Sequence, residues 1–260
     1  MVAVVVGGML PCRPDSEPPQ GAYWTAMNDS FAGSAAAVRL TLVLVFKRPR
    51  PGYGKQRLAA AIGAAAACTL ARRFLDCALE DLEHWPGPVV LAPEAGRDVA
   101  WAAQRLPRAT VRVQSPGNLG ERLAALDAGL RGAGHARLAF IGSDAPALGA
   151  PQLEGAAKAL ETHDVALAPA ADGGVVLMAA RQSWPALAGL PWSTAALGET
   201  LIASCAAAGL SVARLPGAAD VDHAADLPAL AQALVDDLRP ARRALLRALE
   251  TMGLDPGEVT

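Results

Sequence analysis

The residues best suited to chemistry in this chain are carboxylates and cations set in turns beyond apolar runs. Leu138 to Ile141 is such a run; it breaks at Gly142 and leaves Ser143 and Asp144 just past its end. In an open α/β sheet, ligands bind where loops leave the carboxyl ends of strands. A carboxylate there needs a cation or a hydrogen-bond donor to offset its desolvation; failing that, Asp144 reads as a turn or N-cap residue. Cations are supplied by residues 47–57, where Lys47, Arg48, Arg50, Lys55 and Arg57 make five of eleven positions. Gly52 and Gly54 let backbone N–H groups approach a ligand, and Lys55 and Arg57 can neutralise phosphate oxygens. The plain alternative is a solvated basic turn.

Two later segments add acids. Asp172 in Pro169-Ala170-Ala171-Asp172-Gly173-Gly174 stands between apolar runs, which is a strong hairpin signal. It can also present a carboxylate beside the same crevice, with Gly173 and Gly174 leaving room for a substrate. Asp220 and Asp222 alternate, so in an extended segment both carboxylates lie on one side. With His223 next, Asp222 and its neighbours read as ligands for Mg²⁺ or Mn²⁺; if a helix begins near Ala224, Asp222 instead caps it. Two familiar phosphate loops are excluded. Gly54-Lys55 is followed by Gln56 rather than Ser or Thr, and no G-x-G-x-x-G follows the first strand.

The elements that must position these residues follow from the apolar pattern. Leu40 to Phe46 reads as a central parallel strand buried on both faces. A helix-favouring stretch runs from Leu58 to about Glu83, with Gly63 as a weak point. Strand candidates at 89–92, 109–113, 138–141, 165–168, 175–179 and 212–215 alternate with helical stretches at 98–104, 119–131, 151–161 and 194–208. This alternation predicts an α/β fold with a largely parallel sheet covered on both faces. The tail from Leu227 to Met252 reads as helix divided by Pro240.

Length and composition agree with that class. The chain has 260 residues, 52% hydrophobic and 18% charged, with net charge -2 and pI near 6.1. Nothing in that balance favours nucleic acid as a partner. The apolar opening Met1 to Leu10 is too short to span a bilayer, and it lacks a basic n-region. Cys12, Cys68, Cys77 and Cys205 have no paired or metal-ligand spacing, so reduced thiols in the cytoplasm are expected. Residues 1–36 read as a disordered or loosely packed extension, 37–238 as the folded domain and 239–260 as a C-terminal helical tail.

The order of the motifs is more specific than any one of them. Phe46 to Leu58, Gln114 to Arg122, Gly142 to Leu148, Pro169 to Gly174, Trp192-Ser193-Thr194 and Asp220-Val221-Asp222 follow one another. This series resembles a family of small bacterial glycosyltransferase-A-like proteins, known as a domain of unknown function, some of whose members are labelled arsenosugar-biosynthesis glycosyltransferases. The family is similar in fold to nucleotide-diphospho-sugar transferases and to guanylyl- and cytidylyltransferases. The resemblance implies a Rossmann-type three-layer sandwich with a mostly parallel central sheet.

It also implies roles. Phe46, Lys47, Pro51, Gly52, Lys55, Arg57, Gly142 and Ser143 would hold a nucleotide. Asp144, completed by the Asp222 region, would hold Mg²⁺ or Mn²⁺ on its diphosphate, with Lys55 countering the charge of the leaving group; His223 is a further candidate ligand, since some glycosyltransferases of this fold use a late histidine. Asp172 would lie on the acceptor side, beside Gly173, Gly174, Trp192, Ser193 and Thr194; it is the candidate general base if the reaction inverts configuration, and for a retaining reaction no nucleophile is named. The expected partners are a nucleotide sugar or NTP and a small acceptor. Nucleotidyl transfer to a phosphorylated metabolite is the alternative reaction, and nucleotide binding without catalysis a third reading. Gln56, Asn118, Val175-Val176 and His223 depart from the family pattern, where Thr, Asp, an aromatic pair and Thr are usual.

Overall fold

A computed structural model describes residues 39–253; the expectations for residues 1–36 and for Cys12 fall outside them. The central strand β1 (Leu40–Phe46) is built from apolar and β-branched residues, and its alternation feeds two cores. Leu40, Leu42, Leu44 and Phe46 point into one cluster, and Val43 into another on the opposite face. Helices α1 (Gln56–Ile62) and α2 (Ala64–His84) follow. They are one helical stretch interrupted at Gly63, whose φ of +85° no helix can include.

The chain continues as β2 (Val89–Pro93), α3 (Val99–Arg105), the two-residue β3 (Thr110–Val111) and α4 (Leu119–Gly132). Then come β4 (Arg137–Gly142), α5 (Ala150–Thr162), β5 (Val165–Pro169) and β6 (Val175–Ala180). The remainder is α6 (Leu197–Ala207), β7 (Val212–Arg214), α7 (Leu227–Leu234) and α8 (Pro240–Thr251). Leu75, Leu79 and Leu82 of α2, Ala102 of α3 and Leu153 and Leu160 of α5 cover one face of the sheet. Leu123 and Leu130 of α4 and Leu201 and Cys205 of α6 cover the other.

The seven strands lie in the order β3-β2-β1-β4-β6-β5-β7. Pairing is parallel except for β6, which runs antiparallel to both β4 and β5. From β1 the chain steps outward through β2 and β3, then returns to place β4 on the other side of β1. The crevice between the ends of β1 and β4 is therefore the topological switch point, where open α/β sheets bind ligands. Residues 47–55 leave the end of β1, and Asp144 leaves the end of β4.

A third cluster joins α1 and α2 to the last two helices through Leu58, Phe74, Val221, Leu230, Leu245 and Leu249. Pro240 begins α8, where a missing N–H costs nothing. Arg242 of α8 is fully buried; it bonds Glu80 and Asp81 of α2 and the carbonyls of Pro146 and Leu148. The helical tail expected from the sequence is thus packed against the domain. The three described cysteines, Cys68, Cys77 and Cys205, are buried and unbridged.

Candidate active site

Lys55 is the centre of the site. It takes the left-handed conformation (φ 47°, ψ 41°) at the N-cap of α1, which is uncommon for a residue with a side chain. Gly52 and Gly54 just before it also have positive φ, 72° and 73°, so three residues in four turn the backbone sharply. Gln56 closes the turn by donating to the Gly52 carbonyl (2.9 Å). The turn sends the Lys55 ammonium inward, where its side chain is 9% exposed. It donates to the Val221 carbonyl, to Asp222 Oδ1 (3.0 Å) and to Asp144 Oδ2 (3.1 Å), and it lies 5.9 Å from the centre of the Phe74 ring. Asp144 and Asp222, far apart in sequence, therefore converge on one point.

The other cations of the loop are matched by acids as well. Arg57 reaches Asp222 Oδ2 (3.5 Å), Lys47 reaches Glu94 (3.3 Å), and Arg48 and Arg50 share the buried Asp98. Of these, Lys47 and Arg57 are the ones expected from the sequence to meet phosphate. The sequence reading missed Glu94 and Asp98, which follow β2 directly and anchor the loop. Glu94 also accepts from Arg122 (3.2 Å) and from the Tyr53 hydroxyl. Burial opposes its ionisation, but Tyr53, Lys47 and Arg122 outweigh burial and hold the carboxyl below its usual range. Lys47 and Arg57 remain more than half exposed, so both can turn towards a ligand. Phe46 is 5% exposed and its ring packs on Trp101, 6.2 Å between centres; the ring serves the core. Pro51, Gly52 and Gly142 are exposed at the crevice, with Ser143 half-buried beside them.

Around Lys55 the acids outnumber the bases. Burial first, then Asp172 and Asp222, raises the Asp220 carboxyl above its usual range, which Lys55 partly opposes. Asp220 is thus flanked by the charges of Asp172 and Asp222, with Lys55 as the opposing cation. Such a surface repels a bare diphosphate and attracts a divalent cation. Among the described residues, no three His, Cys, Asp or Glu side chains are grouped so as to hold a metal by themselves. Asp144 and Asp222 come together, but His223 is exposed and caps the turn at 224–226. The backbone N–H groups of Asp222 and His223 donate to Asp226 (2.9 and 2.7 Å). Two hard carboxylates with the rest of the shell left to water and phosphate is the usual Mg²⁺ arrangement, so the residues present fit that ion.

The residues expected on the acceptor side lie in the turn between β5 and β6 and in the loop before α6. Asp172, Gly173 and Gly174 form the β5–β6 hairpin turn, and Asp172 accepts the Gly174 N–H (2.8 Å). A Cβ on Gly173 would meet the Ala195 carbonyl oxygen at 2.2 Å, so the hairpin and the segment before α6 touch backbone to backbone. Trp192 donates to the Leu187 carbonyl (2.8 Å), and Thr194 to that of Pro191 (2.8 Å). Ser193 is exposed with φ 61°. The helix expected from Thr194 begins at Leu197 instead, because Thr194 caps the preceding turn. Asn118 caps α4 and donates its amide to the Ala188 carbonyl (3.2 Å), a bond the usual aspartate cannot make. Val176 is buried, so that position packs the core.

Residues 68–194 match a family described as "Uncharacterized protein conserved in bacteria (DUF2064)". That interval contains the Gln114–Arg122, Gly142–Leu148, Pro169–Gly174 and Trp192–Thr194 motifs, and it bears out the resemblance they carry. The structure of a provisionally named nucleotide-diphospho-sugar transferase from Desulfovibrio desulfuricans G20 is similar at 27% identity and a TM-score of 0.74, over 82% of this chain and 96% of that one. A cytidylyltransferase from Leptospira borgpetersenii serovar Hardjo-bovis is more distant, at 11% identity and a TM-score of 0.47, over 86% and 99% of the two chains. No curated protein matches. The fold is that of the nucleotide-diphospho-sugar transferases, as the motifs imply. Among the described residues no helix is long and apolar enough to cross a membrane.

Proposed function

We propose that this protein is a transferase that moves a sugar from a nucleotide sugar to a small acceptor, assisted by a divalent ion. The observation that carries the reading is the convergence of Asp144 and Asp222 on Lys55 at the switch point of the sheet. The similarity to the Desulfovibrio protein supports the same donor class.

In glycosyl transfer the bond at the anomeric carbon breaks and negative charge grows on the departing diphosphate. A bound Mg²⁺ or Mn²⁺ supplies Lewis-acid stabilisation of that charge, and Asp144 and Asp222 would hold it. Lys55, which also donates to the Val221 carbonyl, would lie beside that ion as a further cation for the developing charge. Arg57 and Lys47 are exposed enough to swing from their carboxylates to phosphate oxygens. Asp172, exposed on the hairpin turn, is the candidate general base for the acceptor hydroxyl.

Incubation with a panel of nucleotide sugars and acceptors, with Mn²⁺ or Mg²⁺, tests this. Metal-dependent release of a nucleoside diphosphate is the expected result. Release of pyrophosphate from an NTP and a phosphorylated metabolite would replace the reading with nucleotidyl transfer. Nucleotide binding without turnover of any donor would replace it with a binding role.

A further inference from the structure

A second polar cavity lies outside the strand-edge site, between α2 and α3. It is a surface cleft of about 380 Å³ lined by Arg48, Arg72, Arg73, Arg105, Trp101 and Asp76, with Thr69, Pro49 and Leu75 completing its wall. That volume is in the range of small-molecule sites. Four guanidinium groups face one carboxylate in a chain whose net charge is -2.

The guanidiniums are held in place. Arg48 lies 4.7 Å and Arg105 5.8 Å from the centre of the Trp101 ring, an arrangement that fixes cations over an aromatic face. Asp76 ties Arg105 (2.5 Å) and Arg73 (3.6 Å). Arg72 has no acidic partner among the described residues and is exposed. Like charges gathered this way repel one another unless an anion joins them, and the guanidinium fork matches phosphate oxygens.

We propose that this cavity binds a phosphate dianion carried on a small organic molecule. A bare phosphate would fill only part of the volume, and Pro49, Leu75 and Trp101 offer an apolar wall for a carbon body. The inference does not rest on the nucleotide reading of the Lys55 site. It does touch that site, because Arg48 belongs to the loop leaving β1 and shares Asp98 with Arg50. A ligand drawing Arg48 towards the cavity would loosen its hold on Asp98.

Calorimetric titration of the full chain at low salt, without divalent ions, tests the proposal with glycerol 3-phosphate and with inorganic phosphate. The expected result is saturable binding of the ester, tighter than that of inorganic phosphate. Arg72→Ala should weaken it at least about fivefold, and Asp76→Asn should tighten it by removing the one carboxylate in the cavity's lining. Arg57→Ala, in the other site, should leave it unchanged. Absence of saturable binding overturns the proposal. So does binding that Arg57→Ala weakens and Arg72→Ala does not, which would place the anion at the strand edge. Equal affinity for both probes overturns the assignment to an ester. Failure of donor turnover would bear only on the Lys55 site.

Discussion

The backbone N–H of Val221 donates to the carbonyl of Asp144 at 2.9 Å. This one bond stitches the segment after β7 to the turn after β4, and it sets the spacing of the two carboxylates that flank Lys55. Asp144 and Asp222 are both about half exposed, at 53% and 43%. Their pairing with Lys55 therefore adds little to stability, at most about 1 kcal/mol each. Asp144→Asn and Asp222→Asn should leave the melting temperature nearly unchanged. Turnover should fall by about 10²–10³ for each, by analogy with the loss of one preorganised stabilising group. The stabilising effect of Mn²⁺ with nucleotide in a thermal-shift assay should shrink in parallel. A variant that keeps both turnover and metal response removes that residue from the site.

Glu94 predicts a pH dependence. Its carboxyl is held below the usual range by Tyr53, Lys47 and Arg122 against the cost of burial. An acid with a depressed folded value stabilises the fold above its unfolded value of about 4.3. That stability is lost as pH falls through the lower folded value. Glu94→Gln should therefore melt below wild type at pH 7 by about 1 kcal/mol, or roughly 2–4 °C for a domain of this size. The gap should close in acid. A gap that widens on acidification would contradict the assignment.

Gly120 is a packing prediction. A Cβ there would meet the Leu187 carbonyl oxygen at 2.2 Å and Trp192 Nε1 at 2.5 Å, two groups bonded to each other. Gly120→Ala should force the 187–192 segment off α4 and cost about 1–3 kcal/mol. A denaturation curve reports the cost. An unchanged midpoint would show that the segment yields freely.

The buried ion network offers a fourth test. Removing Arg242 leaves Asp81, 3% exposed in its side chain, with Arg239 as its remaining partner. Arg242→Met should cost about 3–5 kcal/mol. Asp81→Asn combined with it should cost less than the two single changes added together, since contacting residues couple. Strict additivity would show that the pair does not interact.

How much of this was legible beforehand differs by residue. Leu40–Phe46 announced a two-faced central strand because apolar side chains fill both parities. Asp172-Gly173 signalled the hairpin it forms, since few residues other than Gly accept such a turn. Asp144, Asp222 and Lys55 were legible as functional types from their turns and order. That the lysine would stand between the two acids was not. That geometry depends on a left-handed backbone at Lys55 and on a pairing across most of the fold. Glu94 and Asp98 escaped notice because an acid after a strand carries no local mark of its partner. His223 reads as a ligand from its place after Asp222 and from the late histidine of some glycosyltransferases; that the backbone there turns to meet Asp226 carries no mark in the sequence. The cavity between α2 and α3 was invisible for a related reason, its arginines coming from three separated segments.

Arg242 reaches past α2 to the carbonyls of Pro146 and Leu148, in the loop that carries Asp144. The loop at the switch point is thus latched by a side chain near the end of the described chain. As the protein emerges from the ribosome, the seven strands can pair before that latch is made, while Asp144 still lacks its final support. Ordering of the Asp144 turn should accordingly lag behind sheet formation, arriving when α8 docks.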